Sequence, residues 1–239
     1  MLYVKSEAFI TEKGQYVVNE DTILFVSGEI YLICDGVGGN GNGQVASKLV
    51  ADTLISYYKS NPKFELSYLL MFIEKALSLY KKNNPEMRIM ASTIALTQVR
   101  EISILIAWIG DSLVYHIRNG QLKFKTKGHT WVNEAIDNGE ITKIEQYFHP
   151  NKNQITRLIK GTKNPTQFDY NVVTDIQEND YLLLISDGVL EAFLEDDLIE
   201  LFNSNNSCNE IINEINKKCT QFSNDNYSAI IYQIGINEK

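Results

Sequence analysis

Apolar positions along the chain follow two different periods, and the alternation between them predicts the order of the elements. Apolar runs bounded by turn residues predict strands, and these cover residues 2–10, 23–26, 30–34, 90–99, 101–109, 113–118, 121–126, 169–173, 180–186 and 227–234. Apolar residues spaced three and four apart predict helices, and these cover residues 46–58, 69–80, 131–136, 195–202 and 208–222. Helices before and after the main run of strands suggest helices laid on a sheet.

Residues 128–161 interrupt the strand pattern. Apart from the short helical stretch they are irregular, with Asn138-Gly139 and His149-Pro150 as breaks. We therefore predict a flap over approximately 128–161. Since no linker, low-complexity tract or repeat divides the chain, we predict a single domain over residues 1–239.

The apolar run at 31–34 ends on Asp35, and glycines follow at 36, 38 and 39. Glycine lets a ligand or metal ion approach the backbone closely. An isolated Asp-Gly is most often only a capped tight turn. Here the pattern recurs, because four aspartates stand at the boundaries of predicted strands: Asp35, Asp111, Asp187 and Asp225.

The first hairpin adds further acidic residues. The start of its first strand lies beside the end of its second, so we expect Glu20 or Asp21 near Asp35. Gathering carboxylates costs several kcal/mol each unless cations neutralise them. Oxygen ligands without well-placed His or Cys select Mg²⁺ or Mn²⁺ rather than Zn²⁺. A pair of such ions about 4 Å apart can deprotonate a bridging water for in-line displacement at phosphorus.

The composition and net charge of the chain mainly exclude certain classes of binding partner. The chain of 239 residues is 44% apolar and carries 22 basic and 30 acidic residues, a formal charge of -8. Nucleic acid and anionic membranes select basic surfaces, so we expect neither as a partner. Cys34, Cys208 and Cys219 lack metal-ligand spacing and indicate reduced thiols. No signal peptide or membrane span is predicted, so we expect a cytoplasmic protein. We also expect a monomer.

An ordered set of short motifs resembles the metal-dependent, type 2C (PPM) protein serine/threonine phosphatases. Each motif alone is weak, but the set covers about residues 11–234 in the family's order. It comprises Asn19-Glu20-Asp21, Asp35-Gly36 with Gly38-Gly39 and Ala46-Ser47, Ser92-Thr93, Gly110-Asp111-Ser112, Ile155-Thr156-Arg157 with Gly161, Ser186-Asp187-Gly188 and Asp225-Asn226. The resemblance implies an α+β fold in which two stacked antiparallel β-sheets, a β-sandwich, carry helices on both outer faces (α-β-β-α).

The resemblance also implies two bound ions, Mg²⁺ or Mn²⁺. Asp35 resembles the carboxylate that bridges them. Glu20 and the carbonyl of Gly36 resemble the further ligands of one ion, and Asp187 and Asp225 resemble those of the other.

Three further roles follow from the same resemblance. Asp21 resembles a group that hydrogen-bonds the water held by the ions and orients it. Asp111, with Asp187, matches the place where bacterial relatives can bind a third, weaker ion. Asn226 is expected to order the loop around Asp225.

The substrate side departs from the family pattern. Tyr16 stands where an arginine usually grips the phosphate, and we name Lys13 as a residue that can reach in instead. Asn40 replaces a common histidine, Leu113 a usual arginine and Gly128 a usual aspartate. The residues that resemble metal ligands are therefore all present, whereas several residues that usually line the substrate side are replaced.

The leading hypothesis is metal-dependent hydrolysis of phosphoserine and phosphothreonine in proteins, the products of a serine/threonine kinase, by a metal-bridging hydroxide that attacks phosphorus in line. Tyr16 and Leu113 motivate an alternative, a catalytically weak metal-binding regulatory module that recognises a phosphoprotein partner. A third possibility shares the chemistry but acts on a small metabolite or on a phosphoserine in a signalling domain.

Overall fold

The computed structural model describes residues 1–39, 41–163, 165–203 and 206–237, and Asn40 lies outside them. Their strands are β1 (Leu2–Glu12), β2 (Asp21–Val26), β3 (Ile30–Val37), β4 (Ala91–Ser92), β5 (Ile94–Val99), β6 (Ile104–Ile109), β7 (Leu113–Arg118), β8 (Gln121–Lys125), β9 (Asp169–Val173), β10 (Tyr181–Ile185) and β11 (Tyr227–Ile236). The helices are α1 (Asn42–Ser60), α2 (Leu66–Asn83), α3 (Trp131–Asp137), α4 (Gly188–Ala192), α5 (Glu195–Glu200) and α6 (Cys208–Phe222), and 3₁₀ turns lie at Pro85–Met87 and Glu145–Phe148.

The strands form two antiparallel sheets that stack face to face. One has the order β1-β11-β10-β7-β8, and the other has the order β2-β3-β5-β6-β9 with β4 paired to β3. Between them lies an apolar layer in which the rings of Tyr31 and Tyr232, one from each sheet, stack with centroids 4.3 Å apart. Helices α1 and α2 cover one outer face, and α4, α5 and α6 cover the other. The predicted α-β-β-α sandwich is confirmed.

Local sequence signals explain several element boundaries. Asn119 and Gly120 both have positive φ, at 51° and 67°, as the tight turn between β7 and β8 requires. Ser207 and Glu210 form the predicted capping box at the start of α6. Helix α6 then buries Ile211, Ile215 and Cys219, because these positions share one helical face.

The structure corrects some boundaries. The strand predicted at 90–99 is split into β4 and β5 at Thr93, and β6 begins at Ile104 rather than at 101. Helix α4 was not predicted. In the described part of the chain no helix is both long enough and apolar enough to span a membrane. The single domain over residues 1–239 stays a prediction.

Candidate active site

The hairpin β2–β3 brings Asp21 directly opposite Asp35, so the predicted proximity of an acidic residue to Asp35 is confirmed. The backbone of Asp35 is also held from its other side. Its N–H donates to Thr93 Oγ1 (2.9 Å), and its carbonyl accepts from the Thr93 N–H (2.8 Å). Thr93 Oγ1 in turn lies 2.9 Å from Ser112 Oγ, next to Asp111. This chain of contacts fixes the segment of Asp35 relative to that of Asp111.

Glu20 and the carbonyl of Gly36 meet at the start of α1. The Gly36 N–H and the Ser47 hydroxyl both donate to the Glu20 carbonyl, at 3.1 and 2.6 Å. Burial raises the pKa of Glu20, although backbone N–H groups of Gly43 and Gln44 donate to its carboxylate. A Cβ on Gly43 would lie 2.4 Å from the Gly36 carbonyl oxygen and 2.5 Å from Glu20 Oε2. Two acceptor oxygens therefore both lie against the bare backbone of Gly43, and a pair of acceptors suits a cation.

Asp111, Asp187 and Asp225 approach Asp35 from three loops, after β6, after β10 and before β11. The pKa values of Asp35 and Asp187 are raised well above their usual range, and that of Asp111 is raised to about 6. Burial is the main cause, and neighbouring carboxylates add to it. Asp111 Oδ1 is buried and has no hydrogen-bond partner among the described residues. A cation would relieve this accumulated negative charge. We call the acidic residues gathered here the acidic cluster: Glu20, Asp21, Asp35, Asp111, Asp187 and Asp225.

The donor set fits hard divalent cations. The oxygens on offer are carboxylates and one backbone carbonyl, which Mg²⁺ and Mn²⁺ prefer. Within the described ranges no three His, Cys, Asp or Glu side chains are arranged so that they could hold a metal ion by themselves. The Gly36 carbonyl and water would therefore complete the coordination, and Mg²⁺ sites usually retain several waters.

Asp21 has a contact that the sequence did not predict. Its Oδ2 accepts hydrogen bonds from the hydroxyls of Ser186 (2.6 Å) and Ser228 (2.8 Å). Ser186 directly follows β10 and Ser228 lies in β11, and both strands belong to the other sheet. Burial raises the pKa of Asp21 to about 6 despite these two bonds. Asp21 thus joins the two sheets immediately beside Asp187. No local signal could have revealed this, because Asp21 and Ser186 are 165 positions apart.

Asn226 holds Asp225 as expected, because its backbone N–H donates to Asp225 Oδ1 (2.7 Å). Its side chain has a further role that was not expected, since it holds the loop before β2. Oδ1 accepts from the Glu20 N–H (2.8 Å), and Nδ2 donates to the carbonyls of Lys13 (2.8 Å) and Val18 (3.1 Å). The motif Asp225-Asn226 marked the residue but not its partners, which lie at the other end of the chain.

The loop that carries Lys13 and Tyr16 packs on the segment of Asp225. Gly14, at φ 56°, leaves no room for a side chain, because a Cβ would lie 2.0 Å from the Asp225 carbonyl oxygen. The Gln15 N–H donates to the Asn224 carbonyl (3.1 Å). The side chains of Lys13 and Tyr16 are exposed on this loop.

The flap is tied at both ends to the segments that carry the aspartates. At its start, the His129 N–H donates to the Gly110 carbonyl (2.8 Å), and the Gly110 N–H donates to His129 Nδ1 (3.0 Å). At its end, Ile159 and Ser92 exchange two backbone hydrogen bonds, and Ser92 Oγ donates to the Asp35 carbonyl (3.1 Å). The flap and the cluster therefore share one backbone framework.

Arg157 supports this framework. Its guanidinium donates to both carboxylate oxygens of Asp169, at 2.8 and 3.0 Å, and the same carboxylate lies 3.1 Å from His129 Nε2. Arg157 is thus committed to a partner on β9.

A groove of about 800 Å³ runs from Asp111 and Asp187 along the flap. Two of the departures from the family pattern, Leu113 and Gly128, line it. A Cβ on Gly128 would lie 3.1 Å from Asp111 Cα, so the bare backbone keeps the space beside Asp111 open.

Curated relatives match most of the chain. The serine/threonine phosphatase stp of Listeria monocytogenes serotype 4b is 26% identical over 219 residues, which cover 88% of this chain and 86% of that protein. A putative protein phosphatase of Mycoplasma genitalium is 29% identical over 233 residues, covering 90% and 86%.

Solved structures share the fold. A bacterial serine phosphatase superposes with a TM-score of 0.87 at 27% identity, covering 99% of this chain and 100% of that one. The catalytic domain of the serine/threonine protein phosphatase PstP, in complex with 2 manganese ions, superposes with a TM-score of 0.84 at 22% identity, covering 99% and 100%. A family model described as protein phosphatase 2C matches residues 14–218. The chain therefore belongs to the protein phosphatase 2C family of serine/threonine phosphatases.

Proposed function

We propose that this phosphatase hydrolyses phosphoserine and phosphothreonine in proteins and that two divalent cations, Mg²⁺ or Mn²⁺, bind at the acidic cluster. The observation that carries the proposal is the gathering of acidic groups around Asp35. Asp21 lies opposite it, Asp111, Asp187 and Asp225 all raise its pKa, and Glu20 meets the carbonyl of the neighbouring Gly36 at Gly43. The two manganese ions in the PstP catalytic domain support the choice of metal.

Each ligand has an assigned part. Asp35 would contribute to the binding of both ions, Glu20 and the Gly36 carbonyl would hold one, and Asp187 and Asp225 would hold the other. Bound ions of this kind lower the pKa of water to supply a nucleophile and neutralise phosphate oxygens during in-line displacement. The protein's own contribution is to hold these oxygens in place through the contacts of Thr93 and of the start of α1.

Two acidic residues act beside the ligands. We assign Asp21 to accept a hydrogen bond from water in the cluster, because Ser186 and Ser228 fix its orientation. We assign Asp111, whose Oδ1 is unpaired in the described chain, together with Asp187 to a third and weaker ion.

On the substrate side, we infer that Lys13 and Tyr16 face the phosphate, because their loop packs on the segment of Asp225. The substrates would be phosphoproteins made by a serine/threonine kinase. We further propose a cytoplasmic monomer.

The test is hydrolysis by the full chain of an aryl phosphate and of a phosphothreonine peptide, with Mn²⁺ titrated in. Asp35→Asn and Asp187→Asn should each lower kcat/KM by roughly a hundredfold or more, because each change removes part of a cation site worth several kcal/mol in the transition state. Asp196→Asn, at an exposed position on α5, is the matched control and should retain activity. Absence of turnover at saturating Mn²⁺, or full activity in Asp35→Asn, would contradict the proposal.

The exposed Tyr16 favours a second candidate, a metal-binding module that recognises a phosphoprotein but turns it over poorly. Both candidates bind Mn²⁺. Only the enzyme shows turnover that rises in proportion to metal occupancy, so calorimetric titration and a rate assay on the same sample separate them.

A further inference from the structure

The groove that leads away from Asp111 and Asp187 has features that the acidic cluster does not explain. Its volume of about 800 Å³ lies within the range of roughly 300–1,000 Å³ that ligand sites occupy. Part of its lining is uncharged, because Leu113 and Gly128 stand there. A chain bound at the cluster can therefore continue into the groove.

Most charged side chains along the groove outside the cluster already have partners in the described chain. Lys125 forms an ion pair with Glu195, and Lys127 forms one with Asp137. Glu191 accepts two backbone N–H groups from the loop before β11, at 2.7 and 3.2 Å. The charges of the two ion pairs cancel, whereas Glu191 keeps its negative charge because its partners are neutral backbone groups.

Lys143 and Lys152 differ, because neither has an ion-pair partner within the described ranges and both are exposed where they line the groove. Their backbone positions are nevertheless held. Gln146 Nε2 donates to the Lys143 carbonyl (2.8 Å), and the Lys152 N–H donates to the His149 carbonyl (3.1 Å). The His149 ring stacks on Trp131 at 4.3 Å between centroids. The flap therefore presents two unpaired ammonium groups on a supported backbone.

We propose that this groove binds acidic side chains that flank the phosphorylated residue of a substrate protein, with Lys143 and Lys152 as their partners. The proposal rests on the proposed function, because the flanking residues reach the groove only when the phosphorylated residue lies at the cluster. Carboxylates on the substrate would pair with the two free lysines, whereas basic flanking residues would meet like charge. Specificity then comes from the flap, while the chemistry takes place at the aspartates.

The experiment compares three phosphothreonine peptides of equal length with the full chain and Mn²⁺. One peptide carries acidic residues on the N-terminal side of the phosphothreonine, one carries them on the C-terminal side, and one carries alanine on both sides. We expect kcat/KM for at least one acidic peptide to exceed that for the alanine peptide by about three- to tenfold, since exposed ion pairs contribute modestly. The preference should shrink at high salt.

The double variant Lys143→Gln/Lys152→Gln should reduce this preference to less than about twofold. Lys59→Gln/Lys75→Gln removes the same charge from exposed positions on α1 and α2 and should keep the preference intact. Equal rates on acidic and alanine peptides in the unmodified chain would overturn the proposal, and so would an acid preference that survives in the groove variant. Failure of the proposed function is distinguishable, because an aryl phosphate without flanking residues would then not be hydrolysed either.

Discussion

Gly43 lies where two candidate ligands meet, and its missing side chain shapes the site. A Cβ there would press on the Gly36 carbonyl and on Glu20 Oε2, at 2.4 and 2.5 Å. We expect Gly43→Ala to displace both oxygens, weaken Mn²⁺ binding and lower kcat/KM by about tenfold or more, in line with the effect of small misplacements in active sites. Calorimetric titration of Mn²⁺ and rates on an aryl phosphate measure the two effects.

Gly39→Ala is the matched control, because nothing lies within 4 Å of a Cβ at that position. Alanine is also a better helix former than glycine by about 1 kcal/mol, so a loss in Gly43→Ala cannot come from a weaker α1. Mn²⁺ affinity in Gly43→Ala equal to that of the unmodified chain would show that Glu20 and Gly36 do not share an ion.

Tyr16 stands at the position of the expected phosphate-binding arginine and is 57% exposed. An arginine there can make paired, charge-assisted hydrogen bonds to a phosphate, which a tyrosine cannot. Tyr16→Arg should therefore lower KM for a phosphopeptide by about tenfold, which corresponds to the low end of the energy of one charged hydrogen bond. Val17→Arg, at a neighbouring position that is 90% exposed, adds the same charge and should have a smaller effect. A KM that rises in Tyr16→Arg would refute the assignment of this loop.

At the scale of elements, the loop before β2 and the loop before β11 depend on each other through Asn226. Asn226→Ala removes three hydrogen bonds, to Glu20, Lys13 and Val18. We expect the loop over residues 13–20 to loosen, with faster hydrogen exchange there, and Mn²⁺ affinity to fall about tenfold, the loss typical of groups that orient metal ligands.

Asn224→Ala, two positions earlier, is the control for that prediction, because the contacts of Asn224 that hold this loop are made by its backbone. Unchanged exchange and metal affinity in Asn226→Ala would mean that packing alone holds the loop.

Elements with local signals could be predicted from the sequence. The Asn119-Gly120 turn and the capping box of α6 are decided by neighbouring residues, and both are found where expected. Helix α4 could not be predicted, because five residues give less than two turns of periodicity. The acidic cluster was predictable because each aspartate stands at the boundary of a predicted strand, whereas the partners of Asn226 lie up to 213 positions away.

At the scale of the whole molecule, the acidic cluster lies where the two sheets are joined. Asp21 on β2 of one sheet accepts hydrogen bonds from Ser186 and Ser228 of the other. The charges of the cluster therefore bear on the stability of the sandwich as well as on its chemistry. Burial and neighbouring carboxylates raise the pKa of Asp35 well above its usual range, which means that its ionised form costs folding free energy when no cation is bound.

Asp35→Asn should consequently have opposite effects with and without metal. In chelator near neutral pH it removes one of the mutually repelling charges, so Tm should rise above that of the unmodified chain. With Mn²⁺ at about a hundred times Kd, binding should raise the Tm of the unmodified chain by roughly 5–10 °C, whereas Asp35→Asn should gain little, because it lacks the ligand common to both ions. Thermal unfolding followed by circular dichroism measures both, with Asp196→Asn as the control that preserves the metal response. Two results would contradict this prediction: Asp35→Asn less stable than the unmodified chain in chelator, or a Tm of the unmodified chain that does not change with Mn²⁺. Either result would indicate that Asp35 has a structural role rather than a role in metal binding.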